Sequence, residues 1–542
     1  MPRWHFFNRQ LGLLPNPFQL KLEEKSVVSD APRNDATRLQ SMFEKIAQAT
    51  PDQMALRHGG SQLSYQQLDI ATKTVAAGLR GLGVAPGDRV AWLMPNCVEA
   101  VVVTLACYQI GAIAMPLNYR YVTREVEEIL ARTTARLLVY HVDKRSVVQP
   151  LADSATQLVE VAGDGSVSLP FDRLLAAKAD NEVASVAEAD PALILFTSGS
   201  TGRPKGVVHS HGGVYSAIAQ SRELFDFQPS DVVLVGKPIS HAGGLHTQMF
   251  AAMLAGAEVI LTMKPTPQQA VAAINQDGVT EYGMLASDLL DFVEYLEQHP
   301  TPLPSLKNAI GSGDAVPSDL HHRFRDLLNW EVMEGAGMTE VGCYYAGNPR
   351  YGKRKWGSLG IAAPGMQLRV VDASGQDCPA GEQGEIVLQT PSATIGYWND
   401  EVATEALFQN GFLHTGDLAY RDDDGYVWFV GRQKLMIIRR GSNIAPAEVE
   451  NIIDEHPLVH ASVVVGVADP QDGQVPVACV ALVDGADASA EASIRDYVNQ
   501  HLAEYKNPVR YLFLPELPRN ATGKFDRRQL AELAQTQRPD GN

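Results

Sequence analysis

Leu195-Phe196-Thr197-Ser198-Gly199-Ser200-Thr201-Gly202-Arg203-Pro204-Lys205-Gly206 sets hydroxyls, glycines and cations directly after an apolar, strand-like segment. Glycine permits close backbone approach and dihedrals that other residues avoid. Successive amide N–H groups in such a loop form an anion-binding concavity, to which the hydroxyls and Lys205 add donors. The spacing is neither the G-x-x-x-x-G-K-[ST] of a Walker loop nor the G-x-G-x-x-G of a dinucleotide fold. It predicts a phosphate cradle of another kind, against the alternative of a glycine-rich surface loop.

Around this loop, from about Ala36 to Asp417, short apolar strands alternate with helical stretches. Residues 89–94, 136–140, 231–235 and 258–262 read as strands, and 97–110, 124–133 and 266–276 carry helical spacing. The alternation predicts an α/β class with buried, mostly parallel sheets, where ligands gather beyond the carboxyl ends of strands. After Gly365, strands at 368–372, 385–388 and 426–430 separated by turn residues predict a β-rich subdomain. Beyond Arg432 follow a helix over 447–456, strands at 462–467 and 477–482, and a helix over 491–502. The expected organisation is an N-terminal extension over 1–35, a large domain over 36–432, a hinge at 433–435 and a small α+β domain over 436–542.

A chain of 542 residues exceeds the size at which single cores stop growing. The formal net charge of −18 excludes a broad nucleic-acid-binding surface, which needs clustered Lys and Arg. An anionic substrate must be met locally, and Lys205, Arg432 and Lys524 sit in glycine-bearing segments suited to that. Five scattered cysteines (Cys97, Cys107, Cys343, Cys378, Cys479) show no metal-ligand spacing and read as ordinary thiols of a reducing, cytoplasmic compartment. No apolar run is long enough for a membrane span. Asn8, Gln10 and Pro15 interrupt any signal-peptide core, leaving residues 1–35 as a docking arm or a poorly ordered extension.

The opening loop does not stand alone. With Gly335-Ala336-Gly337-Met338-Thr339-Glu340, His414-Thr415-Gly416-Asp417, Gly431-Arg432-Gln433-Lys434 and Pro518-Arg519-Asn520-Ala521-Thr522-Gly523-Lys524, it resembles the ordered motifs of the adenylate-forming superfamily, which holds acyl-CoA synthetases, luciferases and peptide-synthetase adenylation domains. The resemblance implies an AMP-forming acid–thiol ligase that joins a carboxylic acid to AMP, releases pyrophosphate and passes the acyl group to coenzyme A. Bringing two anions together calls for cations, positioned donors and in-line geometry more than for a protein nucleophile.

Residue by residue, the resemblance implies that Thr197, Ser198, Gly199, Ser200, Thr201, Gly202 and Lys205 hold the ATP phosphates. Thr201 and Glu340 assist Mg²⁺, a hard cation suited to a hydroxyl and a carboxylate. Asp314, Ala315, Ala336, Gly337, Met338 and Thr339 belong to the nucleotide site, Asp417 accepts the ribose hydroxyls and Arg432 supports the same sugar. Lys524 neutralises charge between carboxylate and phosphate. Lys434 is the hinge, about which the small domain rotates after adenylation, Gly441 lines the thiol tunnel, and His241 gates it. Gly243, Gly244, Ser287, Gly311, Ser312, Gly337, Met338 and Cys343 surround the acyl group. Read alone, Asp417 is a turn-stabilising side chain, Lys524 a solvated lysine and His241 a structural histidine.

Some positions depart from the pattern. Ala336 stands where an aromatic ring stacks on adenine, an interaction worth about 1–3 kcal/mol by analogy with base stacking in nucleic-acid-binding proteins. Leu435, Arg440 and Ala445 replace the usual Asp, Gly and Tyr. The small residues about the acyl site suggest room for a bulky or extended apolar acid, and the lack of a matched cation favours a monocarboxylic one. Segment 238–244 lacks the Phe-Asp of amino-acid-activating domains, and no carrier domain follows Lys524. The competing readings are an enzyme that loads a carrier protein and a nucleotide-binding regulatory protein without turnover. Which acid is used and the oligomeric state stay open.

Overall fold

Runs of β-branched residues closed by glycine turns and capped helices generate the secondary structure of this computed structural model, which describes residues 39–537 except 165, 198–203, 313–315, 317, 440–441, 470–471, 503 and 521–522. The chain divides into two units, Met1–Arg222 with Phe227–Lys264, and Glu223–Asp226 with Pro265–Asn542.

The strands of the first unit are β1 (Met54–His58), β2 (Ser61–Ser64), β3 (Arg89–Leu93), β4 (Ile113–Pro116), β5 (Leu137–His141), β6 (Gln157–Val161), β7 (Leu169–Pro170), β8 (Pro191–Thr197), β9 (Lys205–Ser210), β10 (Val232–Val235) and β11 (Glu258–Leu261). They lie in the orders β9-β8-β4-β3-β5-β6-β7 and β10-β11-β1-β2. Only the pairs β8–β9 and β1–β2 are antiparallel within these runs; the rest are parallel. Helix Val98–Ile110 is apolar nearly all round because nearly all of it is buried. It stops at Gly111, whose φ of 70° no β-carbon-bearing residue adopts readily. Ser64 and Gln67 close a capping box that starts the next-door helix Tyr65–Gly81.

The second unit carries β12 (Glu281–Leu285), β13 (Asn308–Ser312), β14 (Met333–Met338), β15 (Cys343–Gly347), β16 (Ile361–Ala362), β17 (Gln367–Val371), β18 (Gly384–Gln389), β19 (Gly396–Tyr397), β20 (Phe408–Gln409), β21 (Phe412–Arg421), β22 (Val427–Arg432), β23 (Ile437–Arg439), β24 (Ser442–Ile444), β25 (Val459–Asp469), β26 (Gly473–Leu482) and β27 (Arg510–Phe513). Its runs are β16-β15-β14-β13-β12; β17-β18-β21-β20 with β22 on β21; and β24-β23-β26-β25 with β27 on β26. The second of these is the antiparallel region expected after Gly365. The unbroken Val463-Val464-Val465 of β25 is explained by burial of both sheet faces. Val464, with Ala478 and Val480, packs under the helices Pro446–Asp454 and Glu491–His501, whereas Val463 and Val465 pack with Leu530 and Ala534 of the helix Arg527–Thr536.

Asp454 closes the helix Pro446–Asp454 with Oδ1 shielded and without a hydrogen-bond partner. Burial, reinforced by Glu450 and opposed by bonds from Ser462, pushes its carboxyl up to about 7. A folded-state value above the ordinary one means stability that is complete at acid pH and is lost as pH rises through about 7. Asp454→Asn is therefore expected to protect this helix and β25 by an increment that grows about 1.4 kcal/mol per pH unit between the ordinary value of 3.8 and about 7 and is constant above. Amide exchange of the two elements from about pH 4 to about pH 8 checks this; parallel losses in variant and parent would refute it.

Candidate active site

His414-Thr415-Gly416-Asp417 lies inside β21, not in a turn as Asp-bearing tetrapeptides of this kind suggest. The reason is Glu385 on β18. Its Oε1 accepts the Gly416 N–H at 3.0 Å, and its Oε2 lies 2.9 Å from His414 Nδ1. The β18–β21 ladder shifts register between Glu385 and Val387, and Gly416 takes φ 70°. Such a bulge re-aims the next side chain. Thr415 Oγ1 donates to Ile386 O at 2.7 Å and accepts the Asp417 N–H at 3.0 Å.

The Asp417 carboxylate is buried and makes no bond to neighbouring turn backbone. Oδ2 accepts the Tyr345 hydroxyl at 3.1 Å. Oδ1 lies 2.6 Å from Nε of Arg432, its register partner on β22, but the N–H is not aligned and Oδ1 has no hydrogen-bond partner. An acceptor left in this state has capacity for one more hydroxyl donor. Burial raises the Asp417 pKa above the ordinary value; Arg432, the Tyr345 bond and Lys524 oppose the rise, and Glu340 adds to it. Burial, then Asp417 itself, also holds the Tyr345 phenol well above its usual range, so it remains a donor.

The charge of Lys524 acts on this carboxylate from a tight turn. Asn520 N–H donates to Lys524 O at 2.7 Å, Asn520 Oδ1 accepts the Lys524 N–H at 3.2 Å, and Gly523 sits at φ 88°. The Arg519 guanidinium covers Phe525 at 4.3 Å on the flank, and the Lys524 side chain is exposed. Glu340 occupies the short helix Thr339–Val341, stopped by Gly342 at φ 67°. Its Oε1 accepts the Tyr397 hydroxyl at 2.8 Å and its carbonyl the Thr394 N–H at 2.7 Å. Asp417, Arg432, Glu340 and Lys524 are thus brought into one electrostatic neighbourhood, tied by Tyr345 and Tyr397, which sequence reasoning missed. Tyr344 and Tyr345 alternate across β15, a period-two signal that places one toward β14 and the other toward Asp417.

The acyl-site glycines give a different result from the room they suggest. A Cβ on Gly337 would stand 2.7 Å from Tyr344 Cδ1, and one on Gly335 3.0 Å from Tyr344 Cδ2. A Cβ on Gly311 would meet Val316 Cγ2 at 2.7 Å, and on Gly244 the Pro238 carbonyl at 2.5 Å. Neighbours have taken these volumes, and a missing side chain in sequence does not reveal who fills its place. Gly243 differs, with nothing within 4 Å of a Cβ. Ala336 is half-buried opposite Ala346, and Ser312 is buried, donating to Met284 O at 3.2 Å. Met338 and Thr339 are half-buried beside Glu340. Cys343 is a packed thiol, pushed up to about 12 by burial and 3.6 Å from Ser392 Oγ.

In the first unit, Thr197 and Lys205 are register partners across the β8–β9 pair, so the phosphate-loop segment joins two antiparallel strands. His241 is half-buried ahead of the short helix Ala242–Gly244, which runs into the π-helix Leu245–Phe250, a helix type frequent at functional sites. Ser198, Gly199, Ser200, Thr201, Gly202, Asp314, Ala315 and Gly441 lie outside the described residues, as do the side chains of Ser287 and Lys434. Lys434 falls in the helical turn Gln433–Leu435.

The AMP-binding enzyme profile matches residues 43–398 and the AMP-binding enzyme C-terminal domain profile residues 448–524. The chain is 35% identical over 484 residues to a feruloyl-CoA synthase from Amycolatopsis sp., covering 88% of this chain and 95% of the relative. It is 31% identical to the fatty acid–[acyl-carrier-protein] ligase ScoC of Streptomyces coeruleorubidus, over 90% of this chain and 94% of the relative. Among solved structures, the anthranilate CoA ligase AuaEII in complex with anthranoyl-AMP superposes with a TM-score of 0.86 at 25% identity, covering 92% of this chain and 97% of that one. The chain belongs to the AMP-binding enzyme family, within the adenylate-forming superfamily, and is an AMP-forming acid–thiol ligase.

Tyr345→Phe removes one hydrogen bond to a buried charged group, worth about 1.5–3 kcal/mol. KM for ATP is expected to rise about tenfold or more, and the acid limb of the rate profile to move to higher pH because a contribution lowering the Asp417 pKa is lost. Steady-state kinetics across pH 5–8 read both. Gly243→Val is expected to fold normally while narrowing the range of acids accepted, whereas Gly244→Ala, driven onto a carbonyl, is expected to lose soluble protein; a substrate panel and thermal melts distinguish them.

Proposed function

We propose that this ligase activates an apolar monocarboxylic acid, of the aromatic kind, with ATP and Mg²⁺ and transfers the acyl group to coenzyme A. The observation that carries the reading is the buried Asp417 with one unbonded oxygen, set beside Arg432 and within reach of the charges of Glu340 and Lys524. The feruloyl-CoA synthase and the anthranilate CoA ligase, both named for aromatic acids, support the choice of acid.

Asp417 accepts the ribose hydroxyls and Arg432 steadies the same sugar. Residues 197–202 and Lys205 hold the β- and γ-phosphates, and Ala336, Gly337 and residues 313–315 bound the base. One carboxylate oxygen of Glu340 is already bonded to Tyr397; the other, with no hydrogen-bond partner among the described residues, suits a hard cation that takes few protein ligands. Mg²⁺ there, with the Thr201 hydroxyl, would neutralise the phosphates. Lys524 offsets the charge of the acid as its oxygen attacks the α-phosphorus and pyrophosphate leaves. Rotation about Lys434 within 433–435 then withdraws Lys524, and Gly441 and His241 admit the thiol. The large domain accordingly spans 36–432 and the small one 436–542.

The ScoC relationship favours a second reading, transfer to a carrier protein in place of coenzyme A. All five cysteines are free and buried, which agrees with a reducing, cytoplasmic setting, and no helix among the described residues is long and apolar enough to cross a membrane. Pyrophosphate release with a panel of aromatic and aliphatic acids, with and without coenzyme A, tests the proposal. Release with aromatic acids and formation of the CoA thioester are expected; release without thioester would turn the assignment to a carrier. Lys524→Ala is expected to abolish adenylation while sparing thioester formation from supplied acyl-adenylate. Equal loss of both half-reactions would remove Lys524 from the adenylation step.

A further inference from the structure

We propose that Tyr397 is a positioning residue for Glu340: its hydroxyl occupies Oε1 and so presents Oε2 alone to Mg²⁺. The proposal rests on the reading of Glu340 as the metal-side carboxylate.

Residues 394–397 grip Glu340 at two points. The Thr394 N–H donates to the Glu340 carbonyl at 2.7 Å, and the Tyr397 hydroxyl donates to Oε1 at 2.8 Å. A carboxylate held at backbone and head has lost the torsional freedom to swing between one- and two-oxygen binding. Mg²⁺ demands near-ideal octahedral geometry and keeps several waters, so a single oxygen fixed in direction matches it better than a rotating pair. The phenol has one hydrogen to donate, and Glu340 Oε1 accepts it.

The grip is itself braced. Gly396 adopts φ 134°, and a Cβ there would lie 2.6 Å from Thr404 Cγ2. Its N–H donates to Thr394 Oγ1 at 3.0 Å, and Thr394 Oγ1 donates to its carbonyl at 2.9 Å. The Tyr397 N–H donates to Thr404 Oγ1 at 2.9 Å, while Thr404 Oγ1 donates to Asp400 O at 2.8 Å. Asp400 in turn caps the helix Glu401–Leu407 through the Ala403 N–H at 3.0 Å. Each link is short and polar, and the chain ends on the one carboxylate. A segment needed only for packing would not require a hydroxyl at Tyr397.

Tyr397→Phe keeps the ring and deletes the bond. Outer partners of metal ligands typically account for about 10–100-fold in metal affinity. The Mg²⁺ concentration for half-maximal pyrophosphate release, at saturating ATP and acid, is expected to rise by about that factor, with KM for the acid unchanged and kcat largely restored by excess Mg²⁺. The spectrum of Mn²⁺ bound with ATP, recorded by electron paramagnetic resonance, is expected to broaden in the variant, a readout independent of turnover. Thr404→Val, which frees the Tyr397 backbone, is expected to shift Mg²⁺ dependence in the same direction by less. Glu340→Gln serves as reference. If it changes Mg²⁺ dependence and Tyr397→Phe does not, the positioning role is overturned and the metal assignment stands. If Glu340→Gln leaves Mg²⁺ dependence unchanged, the metal assignment falls and the proposal with it. A uniform loss of melting temperature, KM and kcat in Tyr397→Phe, without a selective Mg²⁺ effect, would reduce Tyr397 to packing.

Discussion

A carboxylate buried in a β-strand has to be kept able to ionise, and much of the second unit's candidate site serves that requirement for Asp417. Water would stabilise the charge at no structural cost; burial removes it, and the pKa rises. Tyr345, Arg432 and Lys524 push the other way, and each comes from a different element: β15, the strand β22 directly across, and the turn before the last helix. Asp417 is therefore where strand register, a tyrosine and the charges of Arg432 and Lys524 act together. Placing it needs the bulge at Gly416, and the bulge needs Glu385.

The same economy explains the glycines. Gly335 and Gly337 admit the Tyr344 ring against β14, with Phe225 edge-on to that ring at 5.4 Å. An added Cβ at either glycine would stand within 3.0 Å of this ring or of β15 backbone, so a methyl has nowhere to go without a shift. Glycine in the motif thus serves the approach of a neighbour at Gly311, Gly335, Gly337 and Gly244, and open space at Gly243. Two outcomes with opposite consequences for substrate size share one letter in sequence.

Most of the secondary structure was legible. Helices 98–110 and 491–501 and strands 89–93 and 258–261 lie within a residue or so of the limits read from periodicity, because each is set by local spacing and a terminating glycine or turn. The Asp417 tetrapeptide reads as a turn in sequence because Glu385, 32 positions earlier in the chain, decides its register. Tyr345 and Tyr397 escaped notice for a related reason. A hydroxyl's partner is a property of folded distance, and neither tyrosine lies within the motifs at 195–206, 335–340, 414–417, 431–434 and 518–524.

The contiguous motifs, by themselves, determined the class of chemistry: a run such as 195–206 or 518–524 is a local object whose donors and glycines are chain neighbours before any folding. The tertiary structure alone decided how the acidic groups are held. The bonds Tyr345–Asp417 and Tyr397–Glu340 join residues separated by 72 and 57 positions, and burial, which raises the pKa of Asp417, and the space at each glycine exist only once those distant segments have packed.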